Sequence, residues 1–286
     1  MRQSRKCLKL IDFRNRKGSI VIRTTRQDIA EDMFKGGSCT ALKGETVDGI
    51  LGGQLRIIQK EKGYRFSLDA LLLAHFVRLK EEEHVLDMGA GNGIISLILA
   101  RRWECGKIVG VEIQEELVDM AKRSVEMNNL EDKVSIRQGD IRKIESLFDS
   151  QSFDAVIFNP PYRRRSSGRI NPDYQKAVAR HEIKGSLNDF LRAVGYVLKE
   201  SGRVYTIYPT VRMVELLFQM RTTHLEPKRL RLVHSNSFSR GEFILVEGIK
   251  GAGEELEVLP PLVIYGEDGS YSEAMSCLFR DVSDFP

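Results

Sequence analysis

The apolar positions of this chain change their period twice. Before residue 45 no period is sustained, apart from the β-branched run Ser19 to Thr25. Next, Ile50-Leu51-Gly52-Gly53-Gln54-Leu55 and Ile57-Ile58 predict a hairpin closed by a glycine turn. Leu68, Leu71, Leu72, His75, Phe76 and Leu79 then recur at helical spacing behind Ser67, a residue type that suits an N-cap.

From residue 84 onward short apolar runs alternate with amphipathic ones. The pattern predicts strands over 84–88, 107–112, 134–138, 155–159, 203–207, 230–234 and 242–249. It predicts helices over 94–102, 115–128 and 211–220, and another opened by a capping box at Ser186 and Asp189. Continuous apolar strands alternating with helices imply a mostly parallel sheet covered on both faces. The expected fold is therefore α/β and Rossmann-like, a seven-stranded sheet with a small N-terminal hairpin and helix extension. Residues 1–44 form a basic arm, poorly ordered or loosely docked. Residues 45–83 carry the hairpin and helix, and 84–286 the main domain.

Composition narrows the class. With 286 residues, 42% apolar and 29% charged, the chain is neither disordered nor fibrous. No apolar run approaches the ~18 residues that cross a bilayer. The nearest, Leu68 to Leu79, carries Asp69, His75 and Arg78. The basic opening lacks the apolar centre of a secretory signal, although transit peptides are Arg-rich and acid-poor too. Cys7, Cys39, Cys105 and Cys277 lie far apart, which argues against a zinc site and a disulfide framework and for a reducing, cytoplasmic setting. The net charge of +4 conceals an asymmetry. Residues 1–26 hold nine Lys or Arg against Asp12, and 160–184 hold seven against Asp173 and Glu182. Two basic segments on an acidic body suit a polyanion ligand. A solvated tail and a solvated loop would carry the same charge.

The first strand of the main domain runs into Asp87-Met88-Gly89-Ala90-Gly91-Asn92-Gly93, with a helix following at once. Such a turn lies at the carboxyl edge of a doubly wound sheet, where ligands bind. The glycine spacing differs from that of dinucleotide enzymes, and Asp87 would repel a pyrophosphate. It suits a ligand bearing an ammonium and a sulfonium, such as S-adenosyl-L-methionine. Glu112 ends the second strand, where one carboxylate can accept from two ribose hydroxyls. After the third strand Asp140 can accept from an adenine amino group, and Ile141 can pack on its ring. Each feature alone is a common turn; the order of the three on successive strands is what points to the cofactor.

The fourth strand ends in Asn159-Pro160-Pro161-Tyr162. The prolines fix the backbone and remove two donors. The Asn159 side-chain oxygen and the Pro160 carbonyl can then accept both hydrogens of a planar amine, aiming its lone pair at a methyl carbon. Tyr162 offers a ring for the planar group to stack on. No general base is needed, because the nitrogen becomes strongly acidic once methylated.

In these motifs the chain resembles the class I S-adenosylmethionine-dependent N-methyltransferases, and within them the bacterial valine-tRNA (adenine-N6)-methyltransferase family. Supporting segments are Glu45 to Asp48, Gly63 to Ala70, Arg169 to Asp173, Arg180 to Glu182, Leu232 to Ser235 and Tyr265 to Met275, so the likeness covers roughly residues 45–275. The resemblance implies that Asp87, Gly89, Gly91 and Gly93 hold the methionine half, with Ser67 near it, Glu112 the ribose, and Asp140 with Ile141 the adenine. Asn159 with Pro160 and Pro161 would clamp the target amine, and Tyr162 would stack on the base. It implies an adenine 3′ of the anticodon in tRNA as target, no metal, and phosphate contacts from Arg163, Arg164, Arg165 and Arg169 and from the arm 1–26. Guanine N2 of ribosomal RNA and a protein glutamine amide would use the same clamp. A glutamine enzyme would not need two basic segments. A non-catalytic RNA-binding protein is opposed by the presence of Asp87 and Asn159, and a nicotinamide enzyme by the glycine spacing.

Overall fold

A computed structural model describes residues 10–14, 20–24, 41–63, 65–162 and 185–280. Within the arm, β1 (Leu10–Arg14) pairs antiparallel with β2 (Ile20–Thr24). The expected hairpin follows as β3 (Glu45–Ile50) and β4 (Leu55–Lys60), and Ile50 pairs with Leu55 across the turn. Gly52 and Gly53 there take φ of 63° and 91°, which glycine adopts without a Cβ penalty. Helix α1 (Leu68–Phe76) is buried at every one of its nine positions, as suits a helix that is apolar nearly all round. Ser67 sits at its N-cap, but its hydroxyl turns to Asp69 instead of capping the backbone.

The main domain runs β5 (Val85–Met88), α2 (Ile94–Arg102), β6 (Ile108–Glu112), α3 (Glu115–Met127), β7 (Val134–Gln138) and β8 (Phe153–Phe158). After residues 163–184 come α4 (Leu187–Val197), β9 (Leu198–Pro209), α5 (Met213–Thr222), β10 (Leu225–His234), β11 (Gly241–Lys250), β12 (Glu257–Val263) and α6 (Glu273–Arg280). The predicted capping box opens α4: Ser186 Oγ accepts from the Asp189 amide at 3.3 Å, and Asp189 accepts from the Ser186 amide at 2.8 Å.

These strands form one eight-stranded sheet in the order β12-β10-β11-β9-β8-β5-β6-β7. The five strands from β7 to β9 are parallel, and β11 runs antiparallel to both of its neighbours. The expected doubly wound sheet is thus present, with one strand more than the seven predicted. The addition, β12, lies at the edge and contains Pro260 and Pro261, which cannot donate to a ladder.

Strand side chains alternate between two apolar layers. Ala155 and Ile157 of β8, with Tyr205 and Ile207 of β9, face α1, α2 and α3. Val156 and Phe158, with Val204 and Tyr208, face α4 and α5. Leu51, Leu55 and Ile57 of the hairpin join the first layer, so residues 45–83 share the core of the main domain. Burying each such Leu or Ile contributes about 1.5–3 kcal/mol. Among the described residues, no helix is long and apolar enough to cross a membrane.

Candidate active site

Strand order runs outward both ways from β5, so a crevice opens at the carboxyl edge between β5 and β8. Met88 is in register with Phe158. The glycine turn and the Asn159 turn therefore leave the sheet side by side. A cleft of about 630 Å³, its mouth included, opens there. It is lined by Gly89 and Gly91 from the first turn, Glu112 and Asp140 from the next two strand ends, and Asn159 and Pro161 from the fourth. Ile141 also lines it, as does Phe190 of α4, which stacks on Phe158 at 5.4 Å. Ser67, Asp87, Gly93, Pro160 and Tyr162, also expected at the site, do not line this cleft.

Gly89, Gly91 and Gly93 take φ of 75°, 58° and 85°. Gly89 and Ala90 both donate to the Val111 carbonyl, at 2.8 and 3.0 Å, which folds the turn back over β6. A Cβ on Gly93 would sit 3.2 Å from that of Ala121. Below the turn Asp87 is 1% exposed. Ser96 Oγ donates to its Oδ2 at 2.7 Å, while its Oδ1 is buried without a hydrogen-bond partner. Burial pushes this carboxyl up to about 6, with the Glu112 charge adding to the shift.

Glu112 is also buried, and burial raises its pKa. Its Oε1 accepts from the amides of Ile113 and Gln114, each at 2.9 Å, and its Oε2 from the Gly91 amide at 3.0 Å. These three donors leave room for about one more on a carboxylate. Asp140 is engaged by its neighbour Arg142. Arg142 chelates it, with Nε at 2.9 Å from Oδ1 and 3.0 Å from Oδ2, and also donates its own amide at 3.0 Å. The guanidinium holds the Asp140 carboxyl below the usual carboxylate range.

At the reacting end Asn159 Nδ2 donates to Asp69 Oδ2 at 3.3 Å. The Tyr162 hydroxyl reaches both Asp69 Oδ2, at 2.5 Å, and Asn159 Oδ1. The Tyr162 ring packs on Tyr208 and Phe243 with centroids 6.0 and 5.8 Å away, and Arg212 Nη1 donates to its carbonyl at 2.8 Å. Asp69, Ser96, Arg142, Phe190 and Arg212 were not among the predicted site residues. Asp69 had one visible signal, an acid inside an otherwise apolar helix. The Arg142 pairing follows from the two-residue spacing to Asp140 and needed the turn geometry to be seen.

Arg163, Arg164, Arg165 and Arg169 lie outside the described residues, as do most of residues 1–26. Among the described residues no cluster of three or more His, Cys, Asp or Glu is placed to hold a metal ion.

Residues 79–243 match the model of a family described as a methyltransferase domain. A Porphyromonas gingivalis protein named tRNA1(Val) (adenine(37)-N6)-methyltransferase is 31% identical over 195 residues, which is 66% of this chain and 75% of that protein. A protein of the same name from a Shewanella species is 28% identical over 236 residues, 80% of this chain and 95% of that one. Among solved structures, one described as a predicted O-methyltransferase from Agrobacterium tumefaciens aligns with a TM-score of 0.60 at 20% identity. It covers 74% of this chain and 95% of its own, a likeness of fold alone.

Proposed function

The chain belongs to the methyltransferase domain family, and from that premise we propose that it methylates the exocyclic N6 of an adenine in tRNA, using S-adenosyl-L-methionine. The adenine just 3′ of the anticodon is the position this reading favours, because relatives at 25–31% identity carry that name. The observation that carries the reading is the meeting of the glycine turn, two strand-end acids and Asn159 on one cleft.

The cleft fits the cofactor on its own chemistry. Asp87 Oδ1 is a buried acceptor lacking a donor, as an ammonium group would supply, and Glu112 Oε2 has capacity for a hydroxyl. S-adenosyl-L-methionine supplies a methyl group on a sulfonium, made electrophilic by the positive sulfur. Gly89 and Gly91 keep the floor of the cleft free of side chains. Asp140, already paired with Arg142, would meet the adenine through that ion pair or after Arg142 swings away. Ile141 and Phe190 supply apolar walls for a ring.

Asn159 Oδ1 and the Pro160 carbonyl would accept the two hydrogens of the target amine. That holds the nitrogen lone pair along one direction, so orientation and electrostatics lower the barrier. The nitrogen would gain its bond to the methyl carbon as the carbon–sulfur bond of the sulfonium breaks and leaves a neutral thioether, and its surplus proton would leave to water.

The test is transfer of labelled methyl to unmodified tRNA, ribosomal RNA and total protein in parallel, followed by nucleoside analysis. N6-methyladenosine in tRNA is expected. N2-methylguanosine, or label in protein, would overturn the acceptor. In the same assay Asn159→Ala should slow transfer by about 10³-fold while cofactor affinity stays within about threefold. Unchanged turnover would remove the clamp from the mechanism.

A further inference from the structure

We propose that Asp69 is a positioning residue for methyl transfer. It fixes which end of the Asn159 amide faces the incoming amine, and the Tyr162 hydroxyl is the movable donor that keeps Asn159 satisfied until the amine arrives. This rests on the reading of Asn159 given above.

Asp69 lies in the first turn of α1 and is 8% exposed, within a helix buried along its whole length. Burying an acid there costs several kcal/mol unless donors surround it. They do. Its Oδ1 accepts from Ser67 Oγ and from the Ala70 amide at 3.1 Å. Its Oδ2 accepts from Asn159 Nδ2 and lies 2.5 Å from the Tyr162 hydroxyl. No Lys or Arg among the described residues is ion-paired with it. Together these hydrogen bonds link residues of the N-terminal extension to the turn that ends β8.

The consequence follows from what each group can donate. An asparagine amide has an oxygen end and an NH2 end of nearly the same shape, and only its surroundings choose between them. An ionised carboxylate can only accept. Opposite Asp69 Oδ2, therefore, only the NH2 end of Asn159 is tolerated, and Oδ1 must point the other way. That is the end an amine hydrogen needs. With the amide reversed, two oxygens would face each other and the clamp would offer the amine a donor.

Tyr162 completes the device. Its one hydroxyl proton has two acceptors in reach, Asp69 Oδ2 and Asn159 Oδ1. Its ring is wedged against Tyr208 and Phe243, and its carbonyl is held by Arg212. The oxygen is therefore stationary and only the O–H bond need rotate. When an amine hydrogen takes Asn159 Oδ1, the Tyr162 proton turns to Asp69. No buried polar atom loses its partner in the exchange, which would otherwise cost about 1–3 kcal/mol.

The experiment is single-turnover methyl transfer to unmodified tRNA by wild type, Asp69→Ala, Asp69→Asn and Tyr162→Phe, with KM for RNA, S-adenosylhomocysteine affinity and thermal melting alongside. Asp69→Ala should slow transfer by about 100-fold, with KM and ligand affinity within about threefold. Asp69→Asn can still present an oxygen to Asn159 Nδ2 if Ser67 rotates to accept, at the loss of the Ala70 amide's bond, and should recover to within about tenfold of wild type. Tyr162→Phe should fall between the two, again in rate rather than KM. If Asp69→Ala does not fold, the Asn and Phe variants decide. Wild-type rates in Asp69→Ala or in Tyr162→Phe overturn the proposal, as does an equal loss in Ala and Asn accompanied only by a lower melting temperature. A wild-type enzyme that forms no N6-methyladenosine overturns the underlying reading first, and the proposal with it.

Discussion

Asp87 illustrates how a single side chain can be set against the stability of its own fold. Burial raises its carboxyl from 3.8 to about 6 in the free protein. A raised pKa means that the folded state favours the proton, so the protein loses stability as pH climbs from 3.8 through about 6 and Asp87 is forced to ionise. Asp87→Asn should therefore stabilise the free protein at pH 7.5 by about 1–3 kcal/mol, while weakening its hold on a cationic ligand. Thermal melting at pH 5 and pH 7.5, with and without S-adenosylhomocysteine, checks both halves. Wild-type affinity should fall as pH drops below about 6, and the variant should lose most of that dependence, Glu112 supplying what remains. A variant less stable at pH 7.5 would refute the assignment. At this scale the convergence of strand ends on one cleft was legible in the sequence, because Glu112 and Asn159 close apolar strands and Asp140 lies two residues beyond the next strand, and the end of a buried strand is a fixed place. Asp69 was not. It sits in the first turn of a helix rich in leucine, and nothing local says that Asn159, 90 residues away, comes to rest against it.

The elements that carry Asp69 hang on α3. Asn128 just beyond that helix meets β4 with both ends of its amide: its Oδ1 accepts from the Arg56 amide at 2.9 Å, and its Nδ2 donates to the Arg56 carbonyl at 2.6 Å. The side chain thus does for β4 what another strand would do. Ser124 Oγ accepts from the Ile58 amide at 3.0 Å, and Arg123 grips Glu45 with two bonds of 2.8 Å. Downstream, Gln59 accepts from the Phe66 amide at 3.0 Å, which sets where Ser67 and α1 begin. Asn128→Ala removes these two hydrogen bonds to Arg56 and should cost about 1–3 kcal/mol in urea unfolding. A loss under about 0.5 kcal/mol would mean that water replaces the amide without penalty. The hairpin itself was legible from its glycine turn, and the main strands from their apolar runs. Strand β12 was hidden by its two prolines, which read as a loop until the edge position explains them. The start of α5 lies two residues later than expected, because Thr210–Arg212 forms a tighter turn that brings Arg212 to Tyr162.

Across the whole molecule, charge is distributed as a polyanion ligand would require. Residues 1–26 and 160–184 hold all of the basic excess, the rest of the chain being net acidic, and the arginines of the second segment begin directly after Tyr162. Removing residues 1–40 should weaken tRNA binding and lower the slope of log affinity against log salt by about one for each phosphate that the arm neutralises. An unaltered slope would make the arm a passive tail. The order of strands has a further consequence, which concerns synthesis. A chain leaves the ribosome amino end first, but β11 enters the sheet between β9 and β10, both made before it. While residues 210–240 are being translated, the outer edge of β9 has no neighbour. Its residues 203–209, which later pair with β11, present open backbone groups until residue 250 has cleared the exit tunnel. Any message truncated within that window would release a protein with an intact cleft and a naked edge near the middle of its sheet, a template for aggregation.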